Sequence, residues 1–132
     1  MTDVFDFTAF EDVTSADVRI KDPITGASTA MVVSLAGPEH AERKRLTALH
    51  RQRLRAEIFK VGKLHAGSAE DEDADAVEML VVCTLGWTGA PVPYSKDAAR
   101  ALYADPKRRW LREQVQAALN ERELFTRSSA AN

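Results

Sequence analysis

Asp105-Pro106 is the point in this chain where one helix must end and another can begin. The residue before a proline is driven out of the α region, so a helical run that reaches Asp105 stops there. The same Asp can accept from orphan N–H groups of a new first turn, and Pro106 at the first helical position loses nothing by lacking an N–H. Upstream, Ser95 heads a run in which Ala98, Ala99, Leu102 and Tyr103 recur on one face, with Asp97 at the positive end of the helix dipole. Downstream, Trp110, Leu111, Val115, Ala118 and Leu119 form an apolar stripe that extends toward Phe125. The spacing predicts a compact helical pair.

Turn chemistry precedes that pair. Gly86-Trp87-Thr88-Gly89 with Pro91 and Pro93 reads as a loop that brings Trp87 and Tyr94 against the helices. Before it, Val77, Leu80, Val81, Thr84 and Leu85 mark the most apolar helix, capped by Asp73 or Asp75, and this helix delivers Trp87. The expected core of residues 74–125 is therefore Leu80, Trp87, Tyr94 and Leu102, joined by Trp110, Val115 and Leu119.

The N-terminal half follows a different period. Asp17 to Lys21 and Thr29 to Leu35 are β-branched runs separated by Asp22-Pro23-Ile24-Thr25-Gly26, where Pro fits the second turn position and Gly supplies a positive φ. That is a β-hairpin over residues 15–36, and because two strands alone are marginal in water it must lie on a helix or extend into a larger sheet. Gly37-Pro38 ends it, and residues 39–62 read as a basic helix with a narrow stripe of Leu46, Leu49, Leu54, Ile58 and Val61. Such a stripe either packs on one neighbour or meets a second copy. Residues 63–73 are expected as a mobile loop and 126–132 as a frayed tail. Residues 1–14 form an arm in which Phe5, Phe7 and Phe10 alternate with acids, either packed on the domain or serving as a recognition segment. The fold class is α+β, mainly α, with an N-terminal β-hairpin followed by about four helices in a single domain, 1–132.

Composition narrows the function. A chain of 132 residues with 45% hydrophobic and 29% charged content suits one soluble domain, and Cys83 as the only cysteine excludes an internal disulfide and points to a reducing cytoplasm. No apolar run approaches the roughly 20 residues that span a bilayer, and the MTDVFDF start lacks the basic-then-apolar order of a secretory signal. The net charge of −2 hides an acidic N-terminal third, a basic block over 39–63 and an acidic block over 70–78, which can neutralise each other or a partner. The bases at 43–55 raise the alternative of a small nucleic-acid-binding regulator, against which stand the absence of a base-reading motif and a pI of ≈ 5.9.

No catalytic, cofactor-binding or metal-binding residues are expected. His40, His50 and His65 have no HxxxH or CxxC spacing, and Cys83 on an apolar helix reads as a small hydrophobe. Gly86-x-x-Gly89 lacks the Lys-Ser/Thr of a phosphate loop, and Glu70 to Asp75 lacks the glycine and terminal Glu of a calcium loop. A small enzyme is the third and least supported class.

The order Gly86-Trp87 at a helix end, Pro93-Tyr94-Ser95, an Ala/Leu helix, Asp105-Pro106, Trp110-Leu111, Gln114-Val115 and a late Phe125 resembles the tail assembly chaperones of long-tailed (siphovirus-type) bacteriophages and prophages. Val33 to His40 followed by a basic helix is similar to the same family, so the resemblance runs from Asp17 to Arg127. It implies a non-catalytic virion-assembly protein of the host cytoplasm, absent from the mature virion, that binds the tape-measure protein and helps recruit tail-tube protein. Phe5, Phe7 and Phe10, with Leu46, Leu49, Leu54 and Ile58, are the candidate partner-binding residues, and a homo-oligomer is compatible with them.

Overall fold

A computed structural model of the chain describes residues 3–61 and 69–128, with side-chain surroundings for residues 3–56 and 72–126. A short strand, Phe10–Asp12 (β1), leads into Ser15–Lys21 (β2) and Ser28–Ala36 (β3). β2 and β3 pair antiparallel, with Val18 opposite Val33 and Ala16 opposite Leu35. In the turn, Asp22 accepts from the N–H groups of Ile24 and Thr25 at 2.8 and 3.0 Å, and Gly26 takes φ +75°, which costs a residue without Cβ little. Ala16, Ile20, Val33 and Leu35 are buried while Asp17 and Arg19 face solvent, so the period-2 pattern gives the sheet one core face.

The chain leaves the sheet as helices Ala41–Val61 (α1) and Ala69–Cys83 (α2). It returns as strand Thr84–Thr88 (β4), followed by Lys96–Ala104 (α3), Arg109–Leu119 (α4) and Thr126–Ser128 (β5). The sheet order is β2-β3-β4, with β3 central, and β1 pairs separately with β5. The architecture is the expected α+β one, N-terminal strands followed by helices. β4 supplies the extension that the hairpin needs.

β4 corrects the sequence reading, which ran the apolar helix through Leu85 and made Gly86 to Gly89 a turn. α2 ends at Cys83 and the next residue opens a strand, with Gly86 opposite Ser34 and Trp87 opposite Val33. The free edge of β3 offers a row of backbone partners that a further helical turn would leave unused. A register shift between Ser34 and Leu35 lies beside Gly86, the irregularity that glycine in a strand often marks.

Three other boundaries move. α2 begins at Ala69, so the acids from Glu70 to Asp73 are helical and lie at the positive end of its dipole instead of in a loop; residues 63–68, the rest of the expected mobile loop, and residue 62 at the end of the expected basic helix lie outside the described residues. α4 ends at Leu119, where the Asn120 N–H closes on the Gln116 and Ala117 carbonyls, and Phe125 is reached by a separate 3-10 turn. The tail is not frayed over Thr126–Ser128, because β1 pairs with it and places Glu11 opposite Arg127; residues 129–132 are outside the described residues.

The helix starts read at Ser95 and Asp105 are in place, whereas Asp73 and Asp75 lie inside α2 and not at its cap, and the basic helix opens at Ala41. Ser95 Oγ accepts from the Ala98 N–H at 3.0 Å and Asp105 from the Lys107 N–H at 2.9 Å, the latter capping a 3-10 turn, Pro106–Arg108, that leads into α4. Leu80, Trp87, Val115 and Leu119 are buried as expected, together with Ile20 and Phe125. Tyr94, Leu102 and Trp110 are only half-buried at the core margin, because Ala99 and Tyr103 take the inner face of α3.

Two predictions test this packing. Burial pushes the Tyr103 phenol up to about 12, whereas a free tyrosine ionises near about 10. The folded chain keeps a proton that the unfolded chain loses between those values, so this contribution is whole below pH about 10 and falls as pH rises toward 12, by about 1.4 kcal/mol per unit. Urea unfolding across that range should show the extra slope in wild type and not in Tyr103→Phe; equal slopes would contradict the buried phenol. Second, Gly89 has φ +72° and a Cβ there would collide with the Ala30 carbonyl, whereas a Cβ on Gly86 meets open space. Gly89→Ala should destabilise by more than about 1 kcal/mol and Gly86→Ala should be neutral or slightly stabilising. Equal losses would mean that the two glycines are wrongly distinguished.

Candidate functional site

The N-terminal arm has a built root and an uncovered tip. At the root the Val13 N–H donates to the Phe125 carbonyl and the Gly37 N–H to the Thr14 carbonyl, both at 2.8 Å. Arg122 pairs with Asp12 at 2.7 Å. A Cβ on Gly37 would press on the Phe125 ring at 2.8 Å, so the close passage of these segments requires glycine. Beyond the root, Asp6 caps a 3-10 turn at Phe7–Ala9. Phe5 stacks on Phe10 with ring centroids 5.9 Å apart, yet Phe5 and Phe7 remain 75% and 77% exposed. Adjacent exposed aromatics on a small domain are the usual mark of an interaction surface.

A second apolar surface lies at the far end of the sheet. Trp87 donates from Nε1 to the Val92 carbonyl at 2.9 Å and meets Tyr94 edge-on at 5.1 Å, which ties the loop after β4 to the strand. Met31, Trp87, Val92, Leu102 and Trp110 wall a cleft of about 270 Å³. Among the described residues, Arg108 is its single charged lining residue. Sequence reasoning assigned Leu102 and Trp110 to the core and so missed the cleft that their half-buried faces form; the apolar Ala90-Pro91-Val92 segment beside Trp87 is the signal that was available.

The basic helix serves the fold more than its composition suggests. Half-buried Leu46 lines, with Met79 and Val82 of α2, the depression where α1 meets α2, Leu54 is half-buried, Leu49 is 42% exposed, and the Ile58 side chain is outside the described residues. The stripe therefore packs on one neighbour and leaves Leu49 outward. Arg43 donates to the Ala36 and Leu119 carbonyls at 3.0 and 2.9 Å, with its guanidinium 5.9 Å over Phe125. Lys44 pairs with Glu39 at 2.7 Å and Arg53 with Asp75 at 3.7 Å.

Cys83, Asp73 and Glu78 each have a close partner in the fold. Burial pushes the Cys83 thiol up, and its Sγ lies 3.8 Å from the Met79 sulfur, the setting of an unreactive hydrophobe. The hydrogen bond from Arg112 holds Asp73 below the ordinary carboxylate range, and that from Arg100 does the same for Glu78. His40 accepts from the Glu42 N–H, His50 borders a depression between α1 and α2, and His65 is outside the described residues. Among the described residues there is no group of three or more His, Cys, Asp or Glu that could hold a metal ion, and no helix is long and apolar enough to cross a membrane. Compared with protein-family models, curated proteins and solved structures, the chain matches none.

Arg43→Met keeps an apolar stem but deprives two carbonyls of a charged donor, and should cost about 1.5–3 kcal/mol. Arg51→Met on the exposed face should stay within about 0.5 kcal/mol. Thermal melts of the two variants check this, and equal midpoints would show Arg43 to be an ordinary surface base.

Proposed function

We propose that this chain is a tail assembly chaperone of a long-tailed bacteriophage or prophage, a non-catalytic protein that binds the tape-measure protein, keeps it soluble and helps recruit tail-tube subunits around it. It acts in the host cytoplasm and does not remain in the mature virion. The observation that carries the reading is the arm: Phe5 and Phe7 are held in water by a root that is itself well packed. A protein whose clients are long helices with apolar faces needs such a surface, and Leu49 on α1 adds to it. The order of sequence features from Asp17 to Arg127 supports the same family, with one departure, since Gly86-Trp87 lies in β4 and not at a helix end. The inward role of Arg43 and the ion pairs of Lys44 and Arg53 count against the nucleic-acid alternative, because they spend part of the basic block inside the chain.

Coexpression with the tape-measure protein of the same phage tests the reading. The client should be soluble with the wild-type chain, in a ratio above one copy per client, and should lose most of that solubility with Phe5→Asp/Phe7→Asp or with Leu49→Asp. A client equally soluble without this chain would overturn the proposal. Tight duplex DNA binding at ~150 mM salt, with a log–log salt slope of about −0.9 per phosphate neutralised, would replace it by the regulator reading.

A further inference from the structure

We propose that the cleft beside Trp87 and Trp110 receives the N-terminal arm of a second copy of this chain, so that copies associate head to tail. The inference needs no client and stands whether or not the chaperone reading holds. At about 270 Å³ the cleft is smaller than the ~300–1,000 Å³ of sites that enclose drug-sized ligands, and its apolar walls suit one or two inserted side chains.

Charge selects the occupant. Arg108 is the charged residue among those that line the cleft, and Arg19, on the other face of β2, donates to the carbonyl of the lining residue Thr29 at 2.8 Å. Neither has a carboxylate partner among the described residues. The arm carries the complement: exposed Phe5 and Phe7 interleaved with Asp3 and Asp6, which form no ion pair among the described residues. An acidic aromatic segment and a cationic aromatic cleft on one chain fit each other in hydrophobicity and in sign.

Geometry makes the contact intermolecular. The arm is rooted where Ser15 pairs with Ala36 and pinned over Phe10–Asp12 by β5, whereas the cleft opens at the Ile20 and Thr29 end of the hairpin, about 20 Å along the strand; the free stretch from Phe10 to Phe5 spans only about 16 Å at roughly 3.3 Å per residue. The arm also folds back on itself through Phe5 and Phe10 instead of running along β2. Two different patches meet, so the association is heterologous and each added copy leaves one free arm and one free cleft. Two phenylalanines and their cleft bury far less than the ~1,200 Å² of a stable interface, so the contact is weak and its charged part is screened by salt. A client that takes the arm competes with the neighbour's cleft.

Sedimentation of the full chain over a range up to about 1 mM tests this. The wild-type average mass should rise with concentration past that of a dimer and fall back in high salt. Phe5→Ser/Phe7→Ser loses the arm; Ala90→Glu and, separately, Arg108→Glu at an exposed position spoil the cleft, with circular dichroism confirming that each variant is folded. Every variant alone should stay monomeric where wild type associates, and an arm variant mixed with a cleft variant should form a one-to-one dimer that grows no further. A wild-type chain that is monomeric throughout, an arm or Arg108 variant that associates like wild type, or a mixture that stays monomeric would each overturn the proposal.

Discussion

Thr84 ties a helix, a strand and a second helix together with one hydroxyl and one carbonyl. Its Oγ1 donates to the Leu80 carbonyl at 2.7 Å, meeting one of the acceptors that the end of α2 leaves without a helical partner. That proton being committed, the Tyr103 hydroxyl donates in turn to Thr84 Oγ1 at 2.7 Å, and the Tyr94 hydroxyl donates to the Thr84 carbonyl at 2.9 Å. The site is buried, so each of these polar atoms would be costly without its partner. This junction lets the chain pass from α2 to β4 with no loop. It thereby fixes the register of Trp87 against Val33 and, through Trp87, the wall of the cleft.

From that junction outward, the molecule divides into a closed interior and two surfaces that the interior holds but does not cover. The arm is anchored by Phe125, Gly37 and Asp12, and the cleft by Trp87 and Tyr94, so neither surface depends on the other for its shape. The uneven charge follows the same division. The acidic block on α2 is answered partly by α1, through Arg53 on Asp75, and partly by the C-terminal helices, through Arg100 on Glu78 and Arg112 on Asp73. At the edge of β2, Gln114 both donates to the Lys21 carbonyl and accepts from its N–H, which closes that end of the strand to further pairing.

What the sequence made legible is what short-range chemistry decides. The Asp22 to Gly26 turn, the Ser95 cap, the break at Asp105-Pro106 and the apolar stripe of α4 all depend on residues within a few positions of each other. β4 was not legible, because Gly86-Trp87-Thr88-Gly89 has the composition of a turn and becomes a strand only when the distant edge of β3 is beside it. The β1–β5 ladder joins the two ends of the chain and has no local signature at all. Periodicity identified the inner faces of α3 and α4 but not their depth, so Leu102 and Trp110 read as core when they are walls. The exposed phenylalanines were legible as a candidate surface; the cleft that complements them was not, since its walls come from β3, β4, α3 and α4 together.

A double-mutant cycle on the Thr84 and Tyr103 hydroxyls tests the central claim most directly, because each single variant breaks the relay and the double variant removes both halves of it. Thr84→Val leaves the Tyr103 hydroxyl buried without a partner, and adding Tyr103→Phe removes that orphan, so the combined loss should be smaller than the sum of the single losses by about 0.5 kcal/mol or more. Single losses that add to within about 0.3 kcal/mol would contradict the claim that this relay holds the helix-to-strand junction.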